Sequence, residues 1–500
     1  MTDLATGGSE SRYEVVVGLE THVHLRTESK LFSPAPVLYG KAPNHCVHPV
    51  CLALPGVLPV VNRHAVELAI RVSLAAHCTV HERSIFARKN YFYPDLPKGY
   101  QISQFEEPLA TEGWIEIRVG GNGEDDGKGE GSKSKRIRLT RIHMEEDAGK
   151  SIHDDGVAGS DATLIDLNRC GVALVEIVSE PDLRSAEEVN AYLRTLRLLL
   201  RYTEVSHADM ELGHLRCDVN ISLRHRGEEE YGTRTELKNL NSFRFIEEAI
   251  EAEVKRQTAI LESGGEVLQA TLRYDPERRE TFVMRLKEDS DDYRYFPDPD
   301  LIPLVVSTQE IERIRSEIPE LAEQKRERFG HEHGLSEYAA NQLIQTRALA
   351  DFFEAAAVAH GQPKPVANWV LRDVMQVTKE REIEIDEIAL TPESLASLIR
   401  LVDDGKTTVK SARALLPELI ENGGDPAALV RERGLEAVSD SGVIDQAVAE
   451  VLAENPENVE KYHGGDEKVI NFLMGQVMRK TQGKANPASV REVLTRELSK

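Results

Sequence analysis

Cysteine is scarce in this chain, and long apolar runs are absent from it. Five cysteines in 500 residues, an odd number, argue against a disulfide framework. No apolar stretch approaches the roughly 18 residues that a membrane-spanning helix needs. The opening stretch, MTDLATGGSESR, carries neither the basic nor the apolar region of a signal peptide. These absences predict a cytoplasmic protein without a membrane segment, in which residues 1–12 form a short disordered lead.

Positive charge is also in deficit. The chain has 61 lysines and arginines against 85 aspartates and glutamates, which gives a formal net charge of -24. So acidic a protein is not a general nucleic-acid coat. Salt screens charges beyond about 10 Å, so a local basic surface that binds one specific RNA is compatible with this balance.

A phosphate-binding loop is missing as well. The glycine-rich segment GGNGEDDGKGEGSKSK, residues 120–135, comes closest to one. There, Gly127-Lys128 is followed by Gly129 instead of serine or threonine, and Asn122 stands where the first glycine is required. The segment separates two strand-like runs, and its composition predicts a long, disordered hairpin tip.

The chain changes character along its length. Residues 13–307 mix short apolar strands with amphipathic helices in no strict order, which predicts an α+β domain. Residues 308–422 are nearly all helical in pattern, and the linker ENGGDP leads into a small helical tail domain, residues 423–500.

Two helix starts have clear signals. Ser185 followed by Glu188 forms a capping box at the start of an amphipathic helix. Thr391 followed by Pro392 is an N-cap with proline at the first helical position. Both predict helices that begin at the next residue.

The stretch GLETHVHL, residues 18–25, places Glu20, His22 and His24 on one face of a predicted strand. Three later strands also have one apolar face and one face rich in charged and polar side chains. They are RIHMEEDAGK (Arg141, His143, Glu145, Asp147), RCDVNISLR (Arg216, Asp218, Asn220, Ser222) and TRTELKNLNS (Arg234, Glu236, Lys238). A solvated sheet face or edge produces the same alternation. Histidine and carboxylates recur here close together, as on a face that lines an active site.

Such a face suits one kind of chemistry. Carboxylates are ligands that Mg2+ prefers, and a magnesium ion held on them can bind the phosphates of ATP. Arginine and lysine side chains then offset charge on a transferred phosphoryl group. The pattern therefore favours a sheet that binds Mg2+ and ATP, while His24 and His143 also fit ordinary surface or core positions.

Two further stretches leave alternatives open. The loop RKNYFYPDLPKGYQISQ, residues 88–104, interleaves aromatic and basic residues that can stack on unpaired RNA bases or pack on the sheet. The segment NHCVHPVC gives His48 and Cys51 the spacing of zinc ligands, but no second pair follows.

Several motifs run in order through the first 300 residues. They are GLETHVHL, PGVLPVVN, RKNYFYPDLPKGYQISQ, RIHMEEDAGKSIHD, DLNRCGVALVEIVSEPD, LRCDVNISLR, ELKNLNSFRF and YRYFPDPDL. Together they closely resemble the B-subunit family of the bacterial tRNA-dependent amidotransferases. The tail motif FLMGQVMRKTQGKANP resembles that family's small C-terminal helical domain. The resemblance spans nearly the whole chain.

The resemblance implies a fold and a reaction. The fold is an antiparallel-sheet cradle, similar to the sheets of glutamine synthetase and the guanidino kinases, followed by helical middle and tail domains. The implied enzyme is a heterotrimer, in which the other two chains are an amidase (the A subunit) and a small C subunit. Its substrate is misacylated Glu-tRNA(Gln), and often Asp-tRNA(Asn). ATP is used to phosphorylate the side-chain carboxylate of the attached amino acid, and ammonia from glutamine then displaces the phosphate.

The resemblance also implies site residues. The family's magnesium positions correspond to Glu20, His22, Glu145 and Glu146. A regular strand would put adjacent residues 145 and 146 on opposite faces, so a bulge or a strand end is expected there. Glu236 is a further catalytic candidate, Lys238 a catalytic or phosphate-binding one, and Arg234 a nucleotide-binding one. Family members often carry CxxC where this chain has His48-x-x-Cys51, which weakens the case for zinc.

Three cations near the end of the chain, Arg479, Lys480 and Lys484, are candidates for contact with the tRNA backbone, although a solvated last helix would look the same.

Two other functions are compatible with parts of the pattern: a stand-alone ATP-dependent carboxylate–amine ligase and a tRNA-binding scaffold. The ligase would need its own amide-donor site, and no Ser-Ser-Lys constellation or convincing nucleophilic cysteine is present. The scaffold would not need a magnesium face.

Overall fold

The structure is a computed structural model that describes residues 12–120, 133–152, 163–286, 293–437, 441–481 and 485–499. Its backbone forms two compact units, Met1–Leu321 and Ala322–Lys500. Most of the predicted lead and of the glycine-rich segment lies outside the described residues. Among the described residues, no helix combines the length and apolarity that crossing a bilayer requires.

The first unit is rich in strands. In chain order they are β1 (Tyr13–His24), β2 (Thr79–Val80), β3 (Arg83–Ser84), β4 (Ala87–Asn90), β5 (Tyr100–Ser103), β6 (Ala110–Val119), β7 (Lys133–Glu146), β8 (Lys150–Ile152), β9 (Leu164–Asp166), β10 (Ala173–Ser179), β11 (Leu215–His225), β12 (Thr235–Leu240), β13 (Ala270–Asp275), β14 (Glu280–Leu286), β15 (Phe296–Pro297) and β16 (Leu304–Val305).

Nine of these strands form one large sheet in the order β14-β13-β12-β11-β1-β10-β7-β6-β2. Neighbouring strands in this sheet run antiparallel, except β12 and β13, which are parallel. The remaining strands form small sheets in the orders β15-β4-β5, β16-β3 and β8-β9. A large, mainly antiparallel sheet followed by a helical region confirms the mixed class predicted from the sequence.

Helices cover one face of the large sheet. They are α1 (Arg63–Ala75), α2 (Ala186–Tyr202) and α3 (Phe243–Glu262). Their apolar side chains share one core with alternate residues of the central strands, such as Leu19, Val23 and Val219. Because strand side chains alternate, the residues between these point to the other face and leave it for polar groups.

The first unit continues beyond residue 307. Helix α4 (Thr308–Ser316) packs on α1, where Arg63 lies 3.2 Å from Glu310 and Arg313 lies 3.2 Å from Glu67. The helical pattern that begins near residue 308 therefore starts inside the first unit, which ends at Leu321.

The second unit is helical throughout its described residues. Its helices are α5 (Ala322–His331), α6 (Glu337–Leu343), α7 (Arg347–His360), α8 (Pro363–Trp369), α9 (Met375–Arg381), α10 (Pro392–Asp403), α11 (Val409–Asn422), α12 (Pro426–Glu432), α13 (Ser441–Glu454), α14 (Pro456–His463), α15 (Val469–Lys480) and α16 (Pro487–Leu498). A π-helical segment, Val370–Val374, joins α8 to α9.

The tail helices have a core of their own. Residues of α13, α15 and α16, including Val448, Leu473 and Leu494, form a separate apolar cluster. Helix α12 instead contacts α10 and α11, although it follows the glycine linker. Packing therefore groups residues 426–432 with the preceding helices.

Both predicted helix starts are confirmed. Ser185 Oγ accepts a hydrogen bond from the amide of Glu188 (3.1 Å), and the Glu188 carboxylate accepts one from the Arg184 amide (2.7 Å). Thr391 Oγ1 accepts from the amide of Ser394 (3.2 Å), with Pro392 as the first helical residue. Each cap satisfies backbone donors that a helix end would otherwise leave unpaired.

Glu253 ties α3 to the sheet. Its carboxylate is fully buried and accepts hydrogen bonds from Thr235, Gln257 and Thr281, each at 2.8 Å. Arg256 donates two more, also at 2.8 Å. One buried acid thus joins a helix to β12 and β14, and its charge is compensated by a single arginine.

Removing this acid should destabilise the first unit. Glu253→Ala leaves the buried end of Arg256 and two hydroxyl groups without their acceptor, so the free energy of unfolding should fall by about 3 kcal/mol. Glu251→Ala, an exposed position on the same helix, should change it by less than about 0.5 kcal/mol.

Denaturant unfolding followed by tryptophan fluorescence measures the difference. The chain has two tryptophans, Trp114 in β6 and Trp369 in α8, so a Trp369→Phe background makes the signal report on the first unit. Equal midpoints for the two variants would contradict the assigned role of Glu253.

Candidate active site

The candidate site lies on the polar face of the large sheet, around its central strand. β1 is fifth of nine strands, so a solvated sheet edge does not explain its charged residues. In the register of the sheet, His22 pairs with Glu176 of β10, and Glu20 pairs with Asp218 of β11. Glu176 in turn pairs with His143 of β7. Antiparallel pairing therefore brings acids and histidines from four strands together.

The first group, here called the histidine cluster, consists of His22, Glu145 and Glu176. His22 Nδ1 lies 3.0 Å from Glu145 Oε1 and 4.0 Å from Glu176 Oε2. Glu176 Oε2 is also 3.4 Å from His143 Nε2. One potential ligand atom from each member lies within 4.8 Å of the others. The three side chains can therefore reach a single metal ion.

Neighbouring charges shift the pKa values of residues in the histidine cluster. Burial alone would lower the pKa of His22, but the hydrogen bond to Glu145 and the charge of Glu176 raise it to about 9. Burial opposes the ionised form of Glu176, but His143, His22 and Lys89 outweigh it and hold the pKa of that carboxyl well below its usual range. The neighbouring positive charges therefore keep Glu176 ionised.

The second group, here called the acid cluster, consists of Glu20, Asp218 and Glu236. It draws on β1, β11 and β12, and its carboxylate oxygens also lie within 4.8 Å of one another. The side-chain amide of Asn220 donates to Glu20 Oε1 (3.0 Å), and the Thr271 hydroxyl donates to Glu236 Oε2 (3.1 Å). These neutral donors orient the acids without neutralising them.

Lys238 supplies positive charge to the acid cluster. Its Nζ donates to Asp218 Oδ2 at 2.6 Å and to Glu236 Oε1 at 3.0 Å. Burial would lower the pKa of Lys238, but these two acids raise it. Burial, together with the charges of Glu176 and Glu236, raises the pKa of Glu20. The cluster thus holds more acid than one lysine neutralises.

The donor sets fit divalent cations. The acid cluster offers only oxygen atoms, the ligands that Mg2+ prefers. The histidine cluster mixes imidazole nitrogen with carboxylate oxygen, a set that ions such as Mn2+ and Zn2+ also accept. Neither group includes His48 or Cys51, and these are the two groups of this kind in the part of the chain that the structure describes.

The four residues that the resemblance assigns to magnesium positions fall into different groups. Glu20 belongs to the acid cluster, whereas His22 and Glu145 belong to the histidine cluster. β7 ends at Glu146, as expected, and its carboxylate binds Lys98 and accepts from the amide of Ile102 (3.0 Å). Glu146 therefore lies outside both clusters.

The remaining predicted residues adjoin the acid cluster. Glu236 is a member of it, and Lys238 bridges two of its acids. Arg234 is exposed and lines a cavity of about 240 Å³ together with Glu20, Asn220 and Tyr231. Glu20 and Arg234 therefore line the same cavity.

Two members of the clusters were not assigned from the sequence. Glu176 is the single acid in the apolar strand ALVEIVS, and that isolation was the available signal. Asp218 was recognised on the polar face of its strand but was not chosen as a ligand. Both become evident only once the register sets them opposite His22 and Glu20.

A buried acid also positions an arginine beside the site. Asp147 Oδ2 lies 2.6 Å from His24 Nε2 and accepts from Arg216 Nη2 at 2.9 Å, and Arg169 is 3.3 Å away. Burial would raise the pKa of Asp147, but these partners hold it well below its usual range. Arg216 pairs with His22 in the sheet register, so its guanidinium is held next to the histidine cluster.

The predicted RNA contacts differ in exposure. Phe92 and Tyr93 of the aromatic loop are exposed, at 78% and 59%, so these two rings do not pack on the sheet. Arg479 is exposed, whereas Lys480 is paired with Glu450 (2.8 Å) and Glu454 (2.7 Å). Lys484 lies outside the described residues.

Comparison with known families agrees with this geometry. Residues 15–312, which contain both clusters, match the model of the GatB/GatE catalytic domain. Residues 351–498 match the GatB domain model.

Curated proteins match along nearly their whole length. A protein of Oleidesulfovibrio alaskensis is 51% identical over 488 residues, which cover 98% of this chain and 100% of that protein. One of Persephonella marina is 49% identical over 96% of this chain and 98% of its own length, and one of Geobacillus thermodenitrificans is 48% identical over 98% and 99%. Each is named as the B subunit of an aspartyl/glutamyl-tRNA(Asn/Gln) amidotransferase. The chain therefore belongs to the GatB family of tRNA-dependent amidotransferase subunits.

Proposed function

We propose that this chain activates the side-chain carboxylate of a misacylated tRNA with ATP, so that ammonia can convert it to an amide. The products would be Gln-tRNA(Gln) from Glu-tRNA(Gln), Asn-tRNA(Asn) from Asp-tRNA(Asn), or both. The observation that carries this proposal is the pair of clusters on one rigid sheet face, which offers two cation sites beside a cavity. The names of the similar proteins point to the same reaction.

The chemistry explains the need for such a face. Hydroxide is a poor leaving group, so a carboxylate does not react with ammonia directly. Phosphorylation converts one carboxylate oxygen into a good leaving group, and ammonia then displaces phosphate. Ammonia must arrive unprotonated, and glutamine hydrolysis on a partner amidase chain would supply it.

Magnesium ions bound here would screen the negative charges of ATP and of the carboxylate that approaches it. Glu20, Asp218 and Glu236 would hold one ion, and the histidine cluster would hold another. Lys238 must then release at least one of its two acids to the ion.

The cations around the clusters complete the proposed site. Arg216 is fixed by Asp147 next to His22, where its guanidinium can offset charge on a phosphoryl group. Lys89 is partly buried, which alone would lower its pKa, yet Glu145, Tyr295 and Glu176 raise it and keep the amine charged. Arg234, at the cavity beside Glu20, is the proposed nucleotide contact.

The assembly and the location follow from the same proposal. We expect the chain to work in the cytoplasm as part of a heterotrimer with the amidase and the small third chain. The helical tail would bind the tRNA through exposed cations. A likeness of the large sheet to those of glutamine synthetase and the guanidino kinases remains a prediction.

Loss of Glu20 should slow amide formation strongly. Glu20→Ala removes one ligand of the acid cluster and should lower the rate about 100-fold, which corresponds to about 3 kcal/mol of lost charge stabilisation. The measurement is ATP-dependent conversion of Glu-tRNA(Gln) by the reconstituted heterotrimer with free ammonia, because this assay bypasses glutamine hydrolysis.

The matched control is Glu14→Gln, on the same strand but paired with Arg224 away from both clusters. It should keep near-normal activity. Full activity of Glu20→Ala, or conversion without ATP, would contradict the proposed function. Conversion by this chain alone would instead support the stand-alone ligase.

Adjacent glutamates should differ in metal binding. Glu145→Gln removes a ligand of the histidine cluster and should weaken Mn2+ binding, used in place of Mg2+, by roughly 10- to 100-fold. Glu146→Gln should leave the affinity nearly unchanged, because Glu146 contacts Lys98 and Ile102 instead. Titration followed by electron paramagnetic resonance compares the two, and equal losses would place Glu146 in the metal site.

Two adjacent cations in the tail should differ in tRNA binding. Arg479→Ala should weaken binding and reduce the slope of log affinity against log salt by about one, as loss of a phosphate contact does. Lys480→Ala should have a smaller effect, since Glu450 and Glu454 already neutralise that lysine. Filter binding at several salt concentrations tests this, and no change for Arg479→Ala would exclude this contact.

A further inference from the structure

A lysine and a cysteine are buried together outside both clusters. Lys30 is 1% exposed and Cys51 is 4% exposed. The Lys30 Nζ lies 3.6 Å from the Cys51 Sγ and 3.2 Å from the Leu167 carbonyl oxygen. The proposed reaction uses neither side chain.

The surrounding backbone holds the pair in place. Gly171, at φ +86°, closes the pocket, because a Cβ there would lie 3.5 Å from Lys30 Cδ, 3.8 Å from Glu146 Oε2 and 3.9 Å from Cys51 Sγ. The Leu31 amide donates to the Gly171 carbonyl (2.9 Å), and Ser33 Oγ lies 3.6 Å from Cys51 Sγ. The amine and the thiol are therefore kept in contact by fixed neighbours.

The contacts of Lys30 are unusual for a buried lysine. Among the ion pairs of the described residues, none joins Lys30 to a carboxylate, although a buried ammonium normally has one. Described contacts of Cys78, Cys170 and Cys217 involve oxygen atoms, whereas Cys51 touches an amine. A lysine close to a thiol is the setting in which cysteine oxidation becomes selective.

We propose that Lys30 and Cys51 form a reversible covalent bridge through one oxygen atom, Nζ–O–Sγ, when the protein meets dioxygen. The thiol first takes up dioxygen as a peroxysulfenic acid, Sγ–O–OH. The amine nitrogen, once deprotonated, then bonds to the oxygen next to sulfur, and the O–O bond breaks. The distal oxygen leaves as water with one hydrogen from the amine and the one it carries. One dioxygen is consumed, one oxygen atom stays in the bridge, and the protein loses two hydrogens.

The geometry favours an oxygen bridge over a direct bond. At 3.6 Å the two atoms are in van der Waals contact, and an inserted oxygen spans more of that gap than a sulfur–nitrogen bond would. The bridge would fasten the segment that contains Lys30 to the loop that contains Cys51. A dithiol reductant would reopen it.

Peptide mapping of the full-length chain tests the proposal. Trypsin cannot cleave after a bridged Lys30, so residues 27–41 should appear joined to residues 42–63 after exposure to air. The mass of the joined pair should equal the sum of the two peptides plus one oxygen and minus two hydrogens. The same digest of protein kept anaerobic with dithiothreitol should contain the separate peptides.

Matched variants assign the bridge to its atoms. Lys30→Arg and Cys51→Ser should abolish the joined pair, whereas Cys46→Ser, in the same tryptic peptide as Cys51, should retain it. Absence of the pair in air-exposed wild-type protein would overturn the proposal. Persistence of the pair in Cys51→Ser, or oxidation of Cys51 without a crosslink, would overturn it as well.

Discussion

The candidate site depends on repulsion between carboxylates that the sheet does not allow to separate. Glu20, Asp218 and Glu236 come from three neighbouring strands, and their oxygens lie within 4.8 Å of one another. Backbone hydrogen bonds fix the strands, so the acids cannot relax apart, and positive charge must be brought to them. Lys238 supplies part of it, and the proposed divalent cation would supply the rest.

The same constraint explains the residues around the clusters. Asp147 accepts from His24 and Arg216, so a buried acid on one strand holds an arginine at the neighbouring cluster. Lys89 adds positive charge to the histidine cluster from β4, which belongs to a separate small sheet. Asn220 and Thr271 orient acids of the acid cluster without adding charge. The apolar face behind them packs against three helices, and that packing keeps the sheet rigid.

Much of this could be predicted from the sequence, and the limits have physical causes. Alternation along single strands indicated the polar face, and serine and threonine caps marked helix starts, because both signals are local. The partition into two clusters depends on register between strands distant in sequence, which no local pattern encodes. Glu176 was missed for that reason, and Glu146 was grouped with Glu145 although the strand sends their side chains to opposite faces. The end of the first unit could not be predicted from the sequence either, because the pattern of α4 indicates a helix but does not indicate that this helix packs on α1.

Glu20 and His22 stand two residues apart on a single extended strand. Their Cα atoms are therefore separated by about 7 Å, a spacing set by covalent geometry and by pairing on both sides. The spacing between the acid cluster and the histidine cluster is therefore fixed by the strand. The aspartate side chain is one methylene shorter than that of glutamate. An enzyme with this sheet that accepts both Asp-tRNA and Glu-tRNA must therefore place the tRNA end differently for the two substrates, because the spacing within the sheet does not change.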